Sequence, residues 1–224
     1  MLVISCVKIV GEKMNYYKAL EFATKKHKGS FRIGGERYIT HPIAVSEILK
    51  DKGFGEEVQI IGLFHDLLED TDATEKEIKM FGNDNILKIV KLLTKEKDYK
   101  MDEYIKKISK KKIALNVKIA DRLHNLRSAI AADEEFRRKY IVETLEYYYD
   151  LSKMTPFFNE IEKAVDKVND SIPNKFYCSR CKHWIKKDYQ AEKKTRDGKV
   201  ICKSCLIDYE ISFDEYENWL KNKD

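Results

Sequence analysis

The sequence predicts an all-α main domain followed by a small metal-stapled α+β module. Two observations carry this reading. Apolar residues recur at helical spacing from about residue 14 to 169, and the texture changes after Pro173, where two Cys-x-x-Cys pairs appear. The resulting division is an N-terminal extension over 1–13, a helical domain over 14–170 and a cysteine-bearing module over 174–224, with a linker near Ser171-Ile-Pro-Asn174.

Taken in order, residues 1–10 lack the basic start and small-residue cleavage site of a signal peptide and read as an added strand or turn, or as a consequence of start choice. Met14 opens the first convincing helix (14–28), with Tyr16, Leu20, Ala23 and His27 at 4-3-4 spacing, so translation from Met14 is an alternative. Further helices are expected at 42–52, 56–69, 74–81, 84–94, 101–109, 112–131, 134–153 and 156–169. Gly53 and Gly82 stop two of them, and Thr74-Glu-Lys-Glu77 is a capping box. Residues 113–119 alternate as a strand would, but Asp121/Asn125/Ser128 and Leu123/Leu126/Ile130 restore helical spacing, so a helix is expected.

The most informative element is the 56–69 helix. Val58, Ile60, Ile61, Leu63, Phe64, Leu67 and Leu68 cover every side of it, which sends it through the core. His65, Asp66, Glu69 and Asp70 on such an element are costly unless compensated. Asp66, Glu69 and Asp70 at i, i+3 and i+4 share a face. One reading is a core histidine beside a solvated acidic helix end; the other is a metal site. The rest of a ligand set favours the metal. His41 precedes Pro42, which as first helical residue puts His41 at the cap, and Asp121 lies in the largely apolar 113–127 stretch. Two imidazoles and two carboxylates suit an octahedral ion that keeps waters, such as manganese, iron or magnesium, better than a closed tetrahedral zinc.

The words Gly34-Gly-Glu-Arg-Tyr-Ile-Thr-His-Pro42, His65-Asp-Leu-Leu-Glu-Asp-Thr71 and Lys118-Ile-Ala-Asp-Arg-Leu-His-Asn-Leu-Arg127 resemble, in order, those of the HD-domain metal-dependent phosphohydrolases. They look most like the hydrolase domain of the RelA/SpoT homologues, of the small alarmone hydrolase type that degrades (p)ppGpp, over roughly residues 14–152. The resemblance implies an HD-domain helical bundle. It places the metal ligands on His41, His65, Asp66 and Asp121, with manganese or another divalent ion, and the catalytic acidic pair on Glu69 and Asp70. It also places substrate contacts on Arg32, Tyr38, Asn125 and Ser128. Two positions depart from the family word: Ile33 stands where Lys is frequent, and Arg37 replaces a proline. His27 and His124 read as packing residues, or as residues that brace the ligands from behind, rather than as ligands.

Net charge is +5 on 43 basic and 38 acidic residues, a mixed-sign surface rather than a nucleic-acid footprint. Lys106-Lys107 and Lys110-Lys111-Lys112 read first as solvated faces. No apolar run approaches a membrane span, so a cytoplasmic protein with reduced thiols is expected. Oligomeric state is not legible.

In the tail, Cys178, Cys181, Cys202 and Cys205 form a C-x2-C-x20-C-x2-C pattern, the spacing of a four-thiolate structural zinc site. Two disulfides or a redox pair are the alternatives; Cys6 is an unpaired packing residue. Tyr177 and Val200-Ile201 flank the pairs as short strands would, Asp197-Gly198 is a hairpin turn, and Ser212 caps a last helix. The module looks like a zinc ribbon or treble clef. Its lysines permit nucleic-acid contact, against an acidic following helix. His183 and Trp184 read as neighbours of the site.

Three functions follow: hydrolysis of the 3′-diphosphate of (p)ppGpp, the same chemistry on a deoxynucleotide or NADPH, or a non-catalytic adaptor using the zinc module. Intact Glu69 and Asp70 favour an enzyme over the adaptor.

Overall fold

The computed structural model describes residues 16–172, together with the backbones of strands 192–194 and 200–202. The chain forms two compact units, residues 1–121 and 122–224, the division falling inside one helix.

In the first unit the helices are α1 (Tyr16–Lys26), α2 (Thr40–Asp51), α3 (Glu56–Phe64), α4 (Leu67–Asp70), α5 (Glu75–Phe81), α6 (Asp84–Leu93) and α7 (Met101–Ser109), followed by the first part of α8 (Lys112–Ala129). The core is aliphatic around α3, whose Ile60, Ile61, Leu63 and Phe64 are buried. Phe22 of α1 stacks on Phe81 at 4.4 Å and meets the edge of Phe64 at 5.5 Å. Gly62 lets α3 approach α2 closely: a Cβ there would lie 2.8 Å from Leu49 Cδ1 and 3.2 Å from Ser46 Cα. The expected capping box starts α5, and Gly82 follows its last residue. Lys52 caps α2, and Gly53 turns the chain with φ +79°.

In the second unit, α8 continues and is followed by α9 (Glu134–Glu143), a π-helical turn (Thr144–Tyr148), α10 (Tyr149–Ser152) and α11 (Phe158–Asp170). The single helix expected over 134–153 is therefore interrupted. Arg122 supplies a reason: its guanidinium lies 4.2 Å from the Tyr140 ring and 4.1 Å from the Tyr148 ring and donates to Glu143. The π turn brings both rings to one cation, and Thr144 Oγ1 bonds back to the Tyr140 carbonyl at 2.7 Å. Strands β1 (Glu192–Lys194) and β2 (Val200–Cys202) pair antiparallel, with Lys194 opposite Val200, as the Val200-Ile201 strand reading requires. Cys178, Cys181 and Cys205, with residues 1–15, Tyr177, His183, Trp184 and Ser212, lie outside the described residues, and Cys202 is described as backbone alone.

The 56–69 helix is also broken, at the His65-Asp66 doublet. Asp66 has φ −115° and ψ 0°, outside regular helix, and serves as the N-cap residue of α4. The cause lies one turn earlier. His65 Nδ1 is 2.8 Å from the Gly62 carbonyl, which an uninterrupted helix would offer to the Asp66 amide. His41 also differs from expectation: α2 begins at Thr40, so His41 sits inside the first turn rather than at the cap.

Candidate metal centre

The residues of the first unit converge on Asp121. Its Oδ1 lies 3.2 Å from His41 Nε2 and 3.8 Å from His65 Nε2, and all three side chains are buried. Each of the three presents a ligand atom within 4.8 Å of the others. The fourth expected ligand, Asp66, stands at the edge of this group, with Oδ2 3.8 Å from His65 Nε2. The two imidazoles approach edge-on, ring centres 5.1 Å apart.

Local backbone chemistry fixes what the atoms offer. A carbonyl oxygen only accepts, so His65 Nδ1 must carry the proton it shares with Gly62. Nε2 of the neutral ring is then a lone pair directed into the acidic cluster, the arrangement of a metal-binding imidazole. Asp66 is 6% exposed, and neither of its carboxylate oxygens accepts a hydrogen bond. A buried carboxylate in that condition needs positive charge beside it, and with the imidazoles neutral their two nitrogen lone pairs would face carboxylates and add repulsion. A divalent cation removes both penalties. This donor set fits an ion that takes mixed nitrogen and oxygen ligands.

The electrostatics agree. Without an ion, burial pushes the Asp66 carboxyl up, and the imidazoles of His65, His27 and His41, when they carry protons, outweigh it and bring it to about 2, supplying the positive charge that a bound ion would bring in their place. Burial likewise opposes ionisation of Asp121, and Lys118 with the two histidines holds it well below the usual carboxylate range. Burial lowers His41, partly offset by Asp121, which favours the neutral ligand form.

Two further residues complete the surroundings, of which Lys118 has no role assigned from sequence. Lys118 Nζ sits 2.8 Å from Asp121 Oδ2, leaving Oδ1 to the histidines. A lysine one turn before the aspartate, in an apolar stretch, was the available signal. His27, read as a packing residue or one bracing the ligands, is 3% exposed; its Nε2 lies 3.3 Å from Asp66 Oδ1 and its ring stacks on Tyr38 at 4.8 Å.

The acidic pair lies at the surface and not in the core. Both backbone amides donate to the Asp66 carbonyl, Glu69 at 3.0 Å and Asp70 at 2.8 Å, so α4 grows directly from the doublet. Glu69 Oε2 accepts from the Lys95 amide at 3.1 Å, and Asp70 Oδ2 accepts from the Tyr38 hydroxyl at 2.8 Å. Burial, followed by the charges of Asp66 and Asp70, pushes the Tyr38 phenol up and keeps it a donor.

The remaining expected contacts are placed as follows. Arg32 is half-buried in a tight turn, its amide donating to Glu36 and its carbonyl accepting from Gly35, with Gly34 at φ +109°. Ile33 at the tip is 71% exposed. Asn125 and Ser128 belong to the second unit, and the Ser128 hydroxyl donates to the His124 carbonyl of its own helix.

A family model described as HD domain matches residues 19–155. The chain is 37% identical over 148 residues to "GTP pyrophosphokinase rsh" of Brucella melitensis, covering 60% of this chain and 20% of that protein. It is 36% identical over 143 residues to "Guanosine-3′,5′-bis(diphosphate) 3′-pyrophosphohydrolase" of Aquifex aeolicus, again 60% and 20%. A relative of that same name in Spiroplasma citri is 34% identical over 169 residues, 69% of this chain and 23% of its own. The chain thus spans about a fifth of the length of the curated relatives it matches. A solved structure titled "A metazoan ortholog of SpoT hydrolyzes ppGpp and plays a role in starvation responses" superposes with a TM-score of 0.58 at 25% identity, covering 69% of this chain and 93% of that one.

Proposed function

This chain belongs to the HD-domain family, and from that premise we propose that it is a metal-dependent hydrolase removing the 3′-diphosphate of (p)ppGpp to leave GDP or GTP. The observation that carries the chemistry is the buried His41, His65 and Asp121 group with Asp66 at its edge, neither Asp66 oxygen accepting a hydrogen bond, joined through Leu67 and Leu68 to an outward acidic pair. The substrate rests on the Aquifex and Spiroplasma relatives and the SpoT-like structure, all of whose names carry ppGpp hydrolysis.

In this reading His41, His65, Asp66 and Asp121 hold one divalent ion, manganese by preference. Bound there, the ion supplies Lewis-acid charge that makes water acidic near neutral pH. Lys118 fixes the Asp121 carboxylate so that one oxygen faces the histidines. Glu69 takes the proton of the attacking water as its oxygen bonds to phosphorus; the bond from that phosphorus to the 3′ oxygen breaks, and the proton passes to the leaving oxygen. Asp70, held by Tyr38, sets the position of Glu69 along α4. Arg32 stacks on the purine, and Asn125 and Ser128, one and two turns beyond Asp121 on α8, reach sugar and phosphate. Separately, Cys178, Cys181, Cys202 and Cys205 bind one zinc that takes no part in hydrolysis.

A panel of ppGpp, pppGpp, deoxynucleoside triphosphates and NADPH with added manganese tests the proposal. Pyrophosphate release from ppGpp roughly tenfold above the others is expected. Preference for a deoxynucleotide or NADPH would move the protein to another substrate class, and no turnover of any would leave only an adaptor.

A further inference from the structure

A hollow opens beside α3, away from the metal ligands. It has a volume of about 450 Å³ and is formed by Glu57 and Ile61 of α3, by Ile89 and Leu92 among the residues of α6, by Lys107 of α7, and by the approach to α8 ending at Ile113. That volume is within the range of small-molecule sites. Its floor is aliphatic: Ile61 is 1% exposed, whereas Ile113 remains 41% exposed at the rim. No aromatic ring lines it, so it offers no stacking platform for a nucleobase.

Charge distinguishes this hollow from an ordinary surface depression. Lys88 of α6, Lys107 of α7, and Lys110 and Lys111 in the link between α7 and α8 all line it, so the four charges reach one opening from three segments. Among the described residues none of these four ammonium groups pairs with a carboxylate, whereas Lys26, Lys79, Lys91 and Lys118 of the same unit all do. The one acid in the lining, Glu57, is engaged by Asn83 Nδ2 at 3.4 Å. Lysine stems alone cover apolar surface while their heads stay in water, but they do not require four like charges about one opening.

We propose that this hollow is a binding site for a small aliphatic anion, a medium-length hydrocarbon chain ending in a carboxylate, with the chain on Ile61, Ile89, Leu92 and Ile113 and the head among the lysines. The proposal is independent of the metal centre, and binding is measured directly on the full chain. Decanoate, below its micelle-forming concentration, is titrated calorimetrically beside decyltrimethylammonium (same chain, opposite head) and acetate (head without chain). Decanoate alone is expected to bind saturably at one site. The Lys107→Ala/Lys110→Ala/Lys111→Ala protein, altered only at exposed positions, should bind it roughly tenfold or more weakly with unchanged circular dichroism. Equal binding of decyltrimethylammonium would reduce the hollow to a greasy patch, and equal binding of acetate to a bare cationic one. Either result, undiminished decanoate binding by the lysine variant, or no decanoate binding at all, overturns the assignment.

Discussion

Gly62→Ala is the smallest change that should reach the metal centre without touching a ligand. Two effects oppose each other. In a helix interior alanine is favoured over glycine by about 1 kcal/mol. Against this, the new Cβ would stand 2.8 Å from Leu49 Cδ1, a side-chain tip that can rotate, and 3.2 and 3.3 Å from Ser46 Cα and N, backbone atoms that cannot. Overpacking of this kind costs about 1–3 kcal/mol, so the net change in stability should be a loss of roughly 1 kcal/mol. The larger effect should be on metal. Ser46 and His41 share α2, and Gly62 fixes His65, so moving α2 from α3 by a few tenths of an ångström displaces the two imidazoles relative to each other. Metal–ligand distances tolerate only about 0.2 Å. Manganese affinity, measured by competition with a chelator, should fall on the order of tenfold to a hundredfold. Gly55→Ala, whose Cβ meets nothing within 4 Å, is the control and should leave affinity unchanged. If Gly62→Ala gains stability and keeps its manganese affinity, the α2–α3 contact yields and does not set the ligand geometry.

Three further perturbations test separate parts of the site. Glu69→Gln should retain manganese yet lose about 10²–10⁴ in kcat; loss of metal together with activity would make Glu69 a ligand instead. Lys118→Met should weaken manganese binding by roughly 10–100-fold while leaving KM for ppGpp nearly unchanged, and Lys118→Arg should restore part of the affinity; unchanged metal affinity in the methionine variant would remove Lys118 from the site. In the chelator-treated protein, Asp66 has its carboxyl lowered from 3.8 to about 2 on folding. It therefore contributes stability that is full above pH 3.8 and lost as pH falls through about 2, on the order of 2 kcal/mol. Urea midpoints taken between pH 5 and 2 should fall more steeply for the parent protein than for Asp66→Asn, and parallel curves would contradict that account.

Periodicity carried the helices because the main domain buries one face of most elements, and α5, α6 and α7 follow the expected spans to within a residue. It failed at His65-Asp66 because α3 is apolar on every side, and a pattern without a polar face carries no phase from which a break can be read. The π turn was hidden for a related reason: Arg122 and the rings it joins are far apart in sequence, and their meeting depends on tertiary placement. The metal cluster was legible because histidine and aspartate are conspicuous in apolar surroundings. Lys118 stood in equally apolar surroundings, but a lysine has so many surface uses that only its contact with Asp121 separates this one from the rest.

The interruption after Phe64 limits how this centre could be transplanted. A segment of four residues has no helical stability of its own, since a helix nucleus must be offset by many propagated turns. Those in α4 keep their shape through the carbonyl of their own N-cap, Asp66, and through two anchors on other segments, the Tyr38 hydroxyl on Asp70 and the Lys95 amide on Glu69. Copying the His-Asp doublet with its following acids onto a straight designed helix would reproduce the letters and lose the bend. A scaffold meant to host this chemistry needs a glycine carbonyl three residues before the histidine and two distant donors waiting for the acids. Searches for such centres in other folds would do better to look for that acceptor and those donors than for the doublet itself.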